Sequence, residues 1–157
     1  MKARRKFFAL CLVLAACAFA WAATEVYFTS DEARSAEARL AQEISATRKT
    51  LDGAVFDVTN ENLASAVTQA KRRGARVRFV VDARQARGKY SQARALAAGG
   101  VEVKLLQGRR GGRGVMHHKF AVFDKKRLAT GSYNWSRGAE NYNYENLIIT
   151  DDAAMIE

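Results

Sequence analysis

The chain has 157 residues, of which 48% are apolar, and a formal net charge of +10 at pH 7. This length supports one compact domain with a substantial core and excludes a two-domain architecture. The excess of basic residues favours a polyanionic partner such as nucleic acid, or an anionic membrane surface. Both cysteines, Cys11 and Cys17, lie close to the N-terminus.

Residues 1–22 have the pattern of a secretory signal peptide. Four cationic residues precede an apolar run of roughly fifteen residues, and the small-x-small pattern Ala20-Trp21-Ala22 follows. The run is shorter than the about 20 residues that span a bilayer, which disfavours a transmembrane anchor. We expect cleavage after Ala22, leaving a single periplasmic or secreted domain of residues 23–157.

The segment Leu14-Ala15-Ala16-Cys17 also resembles a bacterial lipobox, in which the cysteine is lipidated. The apolar residues after Cys17 are unusual for a lipoprotein tether, so we favour soluble release and expect no stable membrane association unless Cys17 is lipidated. Cleavage after Ala22 would remove both cysteines and with them any disulfide or thiolate chemistry. It would leave 22 of the 26 basic residues against 16 acidic ones, a net charge of +6.

Strand-like and helix-like patterns alternate from residue 25 onward. Ser30 or Asp31 is expected to cap the first helix, Thr59 or Asn60 to cap the second, and Gly74 to end the second. This alternation predicts an α/β fold with a mostly parallel or mixed sheet flanked by helices on both faces. The predicted strands lie at 26–28, 53–58, 76–82 and 101–105, and the helices at about 33–44, 61–73 and 91–98.

Residues 107–115, QGRRGGRGV, form a low-complexity loop that we call the basic flap. Its glycines precede a strand rather than a helix, which argues against a dinucleotide-binding fingerprint. Arg109, Arg110 and Arg113 are candidates for contacts with a nucleic-acid backbone. A second basic cluster runs from Lys71 to Arg78.

Short strands are predicted after the flap, at 119–123, 127–131 and 144–150. Asp124-Lys125-Lys126 is a plausible hairpin tip although it lacks glycine and asparagine. Residues 151–157 have the pattern of a capped first helical turn, so we expect a C-terminal helix that is very short or truncated.

The only two histidines, His117 and His118, precede Lys119. On a strand, successive side chains point to opposite faces, so His117 and Lys119 should share one face and His118 should occupy the other. This separation, with no matching cysteine spacing, argues against a metal site, and we expect neither metal nor cofactor. An imidazole beside an ammonium group suits an attack on phosphate, in which the ammonium holds the anionic oxygens.

The residues that follow His117 resemble the signature of the phospholipase D superfamily. The pattern is H-x-K-x4-D-x6-G-S-x-N, which runs from His117 through Lys119, Asp124 and Ser132 to Asn134. The resemblance extends over essentially the whole mature chain, through Val26-Tyr27-Phe28, Phe56-x-x-Thr59, Leu63-Ala64, Arg73-Gly74-Ala75-x-Val77-Arg78 and Val81-Asp82. A single copy of the motif in a small chain is similar to the bacterial nuclease branch and implies a phospholipase D-like fold.

The resemblance implies a two-step reaction without a metal. One histidine attacks phosphorus to form a phosphohistidine, and a second protonates the leaving oxygen and then activates water. His117 is the predicted nucleophile, and because His118 faces away, the second imidazole is expected to be His117 of a twofold homodimer. Tyr133 and Trp135, which flank the motif's polar residues, are expected to pack in the core.

The remaining motif positions imply further roles in that reaction. Lys119, Ser132 and Asn134 would bind the phosphate oxygens. Glu145 would accept a hydrogen bond from a catalytic histidine, with Glu140 as the rival acid. Asp124 belongs to the motif either as a catalytic or as a structural carboxylate.

The sequence thus predicts an exported endonuclease that cleaves DNA, with RNA as an alternative substrate. Two other functions remain open. A phospholipase D would use the same histidine on lipid headgroup esters, and a non-catalytic nucleic-acid-binding protein would need only the basic patches.

Overall fold

The computed structural model describes residues 22–31, 35–110 and 112–157. The predicted signal peptide and its lipobox lie outside the described residues, apart from Ala22. The strands are β1 Thr24–Phe28, β2 Thr50–Val55, β3 Arg76–Asp82, β4 Glu102–Leu106, β5 Lys119–Phe123, β6 Arg127–Gly131 and β7 Asn146–Thr150. The helices are α1 Ala36–Ala46, α2 Glu61–Arg72, α3 Ala93–Ala98, α4 Arg137–Asn141 and α5 Ala153–Ile156, with a 3₁₀ turn at Gln85–Arg87.

The described strands form one sheet in the order β1-β7-β6-β5-β2-β3-β4. The β2–β3 and β3–β4 pairs are parallel, and the other pairs are antiparallel. The predicted α/β fold with a mixed sheet is confirmed. Since β5 pairs with β2 on one side and β6 on the other, the strand that carries the motif lysine lies at the centre of the sheet.

The main core lies between the sheet and the helices α1, α2 and α3. It is built from the apolar stripe of each helix and the inward-facing residues of the strands, including Leu40, Ile44, Leu63, Val67, Leu96, Val55, Phe79 and Ile149. On the opposite face of β3 and β4, Arg76, Arg78, Glu102 and Lys104 are exposed. No helix among the described residues has the length and apolar character needed to cross a membrane.

The structure settles the caps of the first two helices. Ser35 caps α1 by accepting a hydrogen bond from the amide of Ala38, so the prediction that Ser30 or Asp31 does so is wrong. Asn60 caps α2 through a hydrogen bond from the amide of Leu63, as predicted. Gly74 follows α2 at φ +98°, a conformation that glycine adopts without steric cost.

Strands β1, β2, β4 and β7 differ from their predicted bounds by one to three residues at one or both ends. The two ends of β2 have a visible cause in tertiary contacts. β2 begins three residues earlier than predicted, at Thr50, because Asp52 forms an ion pair of 2.6 Å with Arg78, its partner in β3. It ends before Asp57, where Val58 leaves the ladder and pairs with Trp135 in an isolated bridge. The hairpin tip lies where it was predicted, and Asp124 and Lys125 adopt φ values of 52° and 57° without the usual glycine or asparagine.

Candidate active site

The motif residues other than Asp124 gather at one end of the sheet, where β2 and β6 finish and β5 and β7 begin. Val55, the last residue of β2, pairs with Lys119, the first of β5. Gly131, the last residue of β6, pairs with Leu147 near the start of β7. Residues just beyond these pairs therefore converge at one edge although they come from four separate segments.

Phe56 forms the floor on which His117 and Lys119 lie side by side. The His117 ring meets the Phe56 ring edge-on, with a centroid separation of 4.7 Å and an interplanar angle of 61°. The Lys119 Nζ lies 4.9 Å from the centroid of the same ring. His117 is exposed, whereas Lys119 is half-buried. The prediction that His117 and Lys119 lie on the same face of the strand is confirmed.

His118 points the other way. Its ring lies 5.8 Å from that of Phe120, the next residue on its own face. Its carbonyl oxygen accepts a hydrogen bond of 2.7 Å from the amide of Phe56, which extends the β2–β5 ladder by one step. His118 is exposed, so it neither joins the site nor forms part of the core.

Lys119 is held by its own strand and by nearby acids. Its Nζ donates a hydrogen bond of 3.0 Å to the carbonyl oxygen of His117. Burial lowers the pKa of the Lys119 ammonium, and the charges of Glu145 and Asp57 oppose that shift. The ammonium therefore lies within reach of the charges of two carboxylates and on the same aromatic ring as the exposed imidazole, where it could bind an incoming anion.

The glycine and serine of the motif form a tight junction with β7. Gly131 has φ +146°, and a Cβ atom there would collide with the carbonyl oxygen of Asn146, so only glycine fits. The Ser132 amide donates to the Asn146 side-chain oxygen at 3.0 Å. The Ser132 hydroxyl accepts from the Asn146 amide at 3.0 Å and remains exposed.

Alternation after Ser132 directs every second side chain into the core. Tyr133 and Trp135 are 1% and 2% exposed, which confirms that they pack rather than stack on a ligand. Asn134 lies between them and is half-buried, and its buried Oδ1 has no hydrogen-bond partner among the described residues. A buried polar atom without a partner is costly unless a ligand satisfies it, and an asparagine amide can present either its oxygen or its NH2 group at such a position.

The two candidate acids have different surroundings. Glu145 is half-buried near Lys119, and its Oε1 accepts a hydrogen bond of 3.1 Å from Asn143. Glu140 instead accepts hydrogen bonds from the Ser35 hydroxyl, the Glu37 amide and the Tyr133 hydroxyl. These contacts fix the start of α1, so Glu140 has the environment of a structural residue.

Asp124 lies at the opposite end of β5 from the histidine. Its carboxylate accepts backbone hydrogen bonds from Arg48, Lys49 and Thr50 at 2.6–2.9 Å. Although burial acts to raise it, these bonds hold the pKa of Asp124 below its usual value. Lys119 and Phe123 are separated by about 13 Å of extended strand, so within one chain Asp124 cannot reach the group that His117 would attack. The structural interpretation of this motif position is the one that its contacts favour.

Asp57 is a site residue that the sequence analysis did not identify. It follows Phe56, is half-buried, and its charge acts on Lys119. Burial raises the pKa of Asp57, and Lys119 opposes that shift. The family resemblance includes Phe56 and Thr59 but assigns nothing to the position between them, and the pattern-based assignment placed Asp57 inside a strand.

Comparisons with known proteins agree on one family. The model described as "Cardiolipin synthase, PLD-like domain" matches residues 40–157. The mitochondrial cardiolipin hydrolase of Homo sapiens is 40% identical over 118 residues, which cover 75% of this chain and 45% of that protein. The chain belongs to the phospholipase D superfamily. It spans about half the length of the curated relatives that it matches.

Two solved structures match this chain over most of their own length and share its fold. NucT from Helicobacter pylori superposes with a TM-score of 0.81 at 30% identity, covering 87% of this chain and 89% of that one. Nuc from Salmonella typhimurium, a phospholipase D family member, superposes with a TM-score of 0.76 at 22% identity, covering 87% and 88%. The predicted phospholipase D-like fold is confirmed.

The basic flap of this phospholipase D-like domain is an exposed cationic surface. Arg109, Arg110 and Arg113 are exposed and form no ion pair within the part of the chain that the structure describes. They line an open cavity of about 570 Å³ together with Gly108, Gly114 and Val115. The other basic cluster is partly neutralised, because Arg76 and Arg78 both pair with Asp52. The Arg73 guanidinium donates to the carbonyl oxygens of Ile44 and Ser45.

The described residues contain no group of three or more His, Cys, Asp and Glu side chains arranged to hold a metal ion.

Proposed function

We propose that this protein is an exported, metal-independent endonuclease that cleaves nucleic-acid phosphodiesters through a phosphohistidine at His117. The observation that carries the proposal is the placement of His117 and Lys119 together on the Phe56 ring, with the imidazole exposed and the ammonium half-buried. This pair offers a nucleophile next to a fixed positive charge, which phosphoryl transfer requires.

In the first step, a nitrogen of the neutral His117 ring attacks phosphorus while the bond to the leaving oxygen breaks. Lys119, Ser132 and Asn134 donate hydrogen bonds to the other phosphate oxygens, with the Asn134 amide turned so that its NH2 group takes the place of the unpartnered Oδ1. In the second step, water attacks the phosphohistidine, the P–N bond breaks, and His117 is restored.

Both steps need a second group that carries a proton, and the structure places no other histidine on the face of His117. His118, the only other histidine in the sequence, lies on the Phe120 side. A twofold homodimer that brings two copies of this sheet end together would supply the second imidazole, which protonates the leaving oxygen and then accepts the proton of water. In that assembly, Glu145 of one chain would orient a histidine and stabilise its charged form.

Nucleic acid is the proposed substrate because the basic flap offers three exposed arginines that form no ion pair among the described residues and that precede His117 by four to eight positions. Contacts of this kind bind the phosphate backbone and carry no base information, so we propose cleavage of DNA or RNA with little sequence preference. Likeness to NucT and Nuc over nearly the whole length supports the small bacterial branch that the sequence resembles. The pattern of residues 1–22 supports export to the periplasm or the medium, with a lipid anchor at Cys17 as the alternative.

A lipid phosphodiesterase is the second candidate, because the cardiolipin hydrolase of Homo sapiens is 40% identical over the matched region. It would use the same histidine and lysine. The two activities would therefore differ only in whether the phosphodiester joins nucleotides or lipid groups. A non-catalytic nucleic-acid-binding protein would need neither residue.

One assay separates these functions. Purified protein is incubated with plasmid DNA, single-stranded RNA or cardiolipin vesicles in excess EDTA, beside H117N. We expect nicking or cleavage of nucleic acid by the wild type alone. Release of phosphatidic acid from vesicles with intact plasmid would replace the nuclease by the lipid phosphodiesterase, and binding without cleavage of either substrate would leave only the non-catalytic function. Sedimentation of the active protein as a monomer would contradict the composite site.

A further inference from the structure

Asp82, the last residue of β3, is a buried carboxylate that the proposed reaction does not use. It is 1% exposed. Its Oδ1 accepts hydrogen bonds from the amides of Arg84 at 2.9 Å and Gln85 at 3.1 Å. Its Oδ2 accepts one of 2.9 Å from the amide of Met116. The carboxylate therefore joins two segments that lie 34 residues apart in the chain.

The Met116 contact fixes the backbone next to the proposed nucleophile. His117 precedes β5 and its side chain is exposed, so its position depends on its neighbours. On one side, Asp82 accepts from the Met116 amide, and on the other, the Phe56 amide donates to the His118 carbonyl oxygen at 2.7 Å. The peptide that carries the imidazole is thus held at both ends by hydrogen bonds to buried or half-buried groups.

The same carboxylate also anchors the residue that reaches the basic flap. The Arg84 amide binds Asp82, while the Arg84 guanidinium donates to the carbonyl oxygen of Gly112 within the flap. The base of the flap is closed by a hydrogen bond of 3.3 Å from the Gly108 amide to the Gly114 carbonyl oxygen. Flap and histidine therefore share one point of attachment at the end of β3.

Asp82 is suited to this task because it is ionised. Burial acts to raise the pKa of Asp82, but the hydrogen bonds from Met116, Gln85 and Arg84 outweigh it and hold the pKa below its usual value. Hydrogen bonds to a charged acceptor are shorter and stronger than those to a neutral one.

We propose that Asp82 is a positioning residue that sets His117 for in-line attack and, through Arg84, holds the basic flap beside it. The proposal rests on the proposed function, since it explains what holds His117 and the basic flap in place in the same site. Two effects are expected to separate. Loss of the Asp82 carboxylate displaces His117 and lowers kcat, whereas loss of the Arg84 guanidinium frees only the flap and raises KM.

The test uses the full chain and the variants D82N and R84M. In D82N we expect kcat for a short oligonucleotide and for bis(p-nitrophenyl) phosphate to fall by about 10- to 100-fold, as a displacement near 1 Å at a reacting group produces. In R84M we expect KM for the oligonucleotide to rise about threefold or more, with little change for the small diester, which does not reach the flap.

A stability control separates positioning from loss of fold. Ile44 is fully buried near the end of α1, from which the chain enters the end of β2 that lies away from the site, and it is truncated to valine or alanine to match the Tm of D82N. The control should keep the wild-type kcat at a temperature where all proteins are folded. Equal kcat in D82N and the wild type, or an equal loss in the Ile44 control, would overturn the proposal. If D82N does not fold, R84M still tests the second part of the proposal. An unchanged KM for the oligonucleotide in R84M would refute the claim that Arg84 holds the basic flap for substrate binding.

A spectroscopic readout keeps the proposal testable even if no substrate is cleaved. The chain has two histidines, so its imidazole NMR spectrum contains two sets of ring signals. We expect D82N to shift or broaden the His117 signals and leave those of His118, which lies on the Phe120 face, nearly unchanged. Unmoved His117 signals in folded D82N would contradict the positioning role, whereas failure of the proposed function would appear as inactive wild type with this shift still present.

Discussion

Replacement of Glu140 by glutamine tests which of the two neighbouring acids belongs to the site. The Glu140 carboxylate accepts from the Ser35 hydroxyl at 2.6 Å, the Glu37 amide at 3.1 Å and the Tyr133 hydroxyl at 2.8 Å. A glutamine keeps the shape but turns one acceptor oxygen into an NH2 group. With its remaining oxygen at the Oε2 position, the glutamine still accepts from the Glu37 amide and the Tyr133 hydroxyl, and its NH2 group faces the exposed Ser35 hydroxyl. All three groups lose a charged partner.

The expected cost follows from burial. Tyr133 is 1% exposed, so its hydroxyl cannot find water as a substitute. Burial and the hydrogen bond to Glu140 also raise the pKa of Tyr133 above its usual value, so the hydroxyl remains a donor. A hydrogen bond to a charged group contributes about 1.5–3 kcal/mol and one to a neutral group about 1 kcal/mol, so we expect E140Q to lose about 1–3 kcal/mol in all. For a chain of this size, that corresponds to a fall in Tm of about 2–12 °C.

E145Q is the matched control, since it makes the same chemical change five residues away. Glu145 is half-buried and its Oε1 accepts one hydrogen bond, from Asn143, so Tm should change little. Its charge acts on Lys119, and kcat should fall at least about tenfold if it supports a histidine during proton transfer. Differential scanning calorimetry and initial rates of oligonucleotide cleavage measure both effects. A stable but inactive E140Q beside an unstable but active E145Q would reverse the assignment of the two acids.

Three further outcomes are expected. D57N removes a negative charge that acts on Lys119, so KM for a phosphodiester should fall by about fivefold, or about 1 kcal/mol, and a rise in KM would contradict the placement of Asp57. The hydrogen bond from Arg39 lowers the pKa of Glu25 from 4.5 to about 2, so the ionised form stabilises the fold above pH 4.5 and this stability is lost as the pH falls toward 2. The decline in urea midpoint over that range should be smaller in E25Q, and an equal decline would show that the ion pair does not cause it. Changing the three flap arginines to glutamine should reduce the slope of log K against log salt for DNA binding by about 2–3, and an unchanged slope would remove the flap from the interface.

Much of the fold follows from local patterns in the sequence. β3, β5 and β6 have the predicted bounds, because each is a short run of strand-forming residues bounded by charged or glycine-containing turns. Alternation alone also separated His117 from His118, and the positions of Phe56 and Phe120 against their rings confirm it. Patterns of this kind depend on the strand's own geometry and need no knowledge of its neighbours.

Features that depend on distant partners could not be predicted in this way. Ser35 is the cap of α1 and its hydroxyl also donates to Glu140, about a hundred residues later. β2 extends back to Thr50 because Asp52 meets Arg78 across the ladder. Asp57 joins the site only because the chain leaves the sheet after Phe56, and Asp82 gains its role from an amide 34 residues away. None of these contacts leaves a periodic signal in the sequence.

The central claim is that His117 forms a covalent bond to phosphorus, and trapping of that intermediate tests it most directly. An oligonucleotide carrying radioactive phosphorus at an internal phosphate is mixed with the protein in EDTA and quenched in alkaline detergent within milliseconds to seconds. We predict label that migrates with the protein, survives base, is released by mild acid as a phosphoramidate is, and maps to His117. Cleavage without labelled protein, or labelled H117N, would contradict the account.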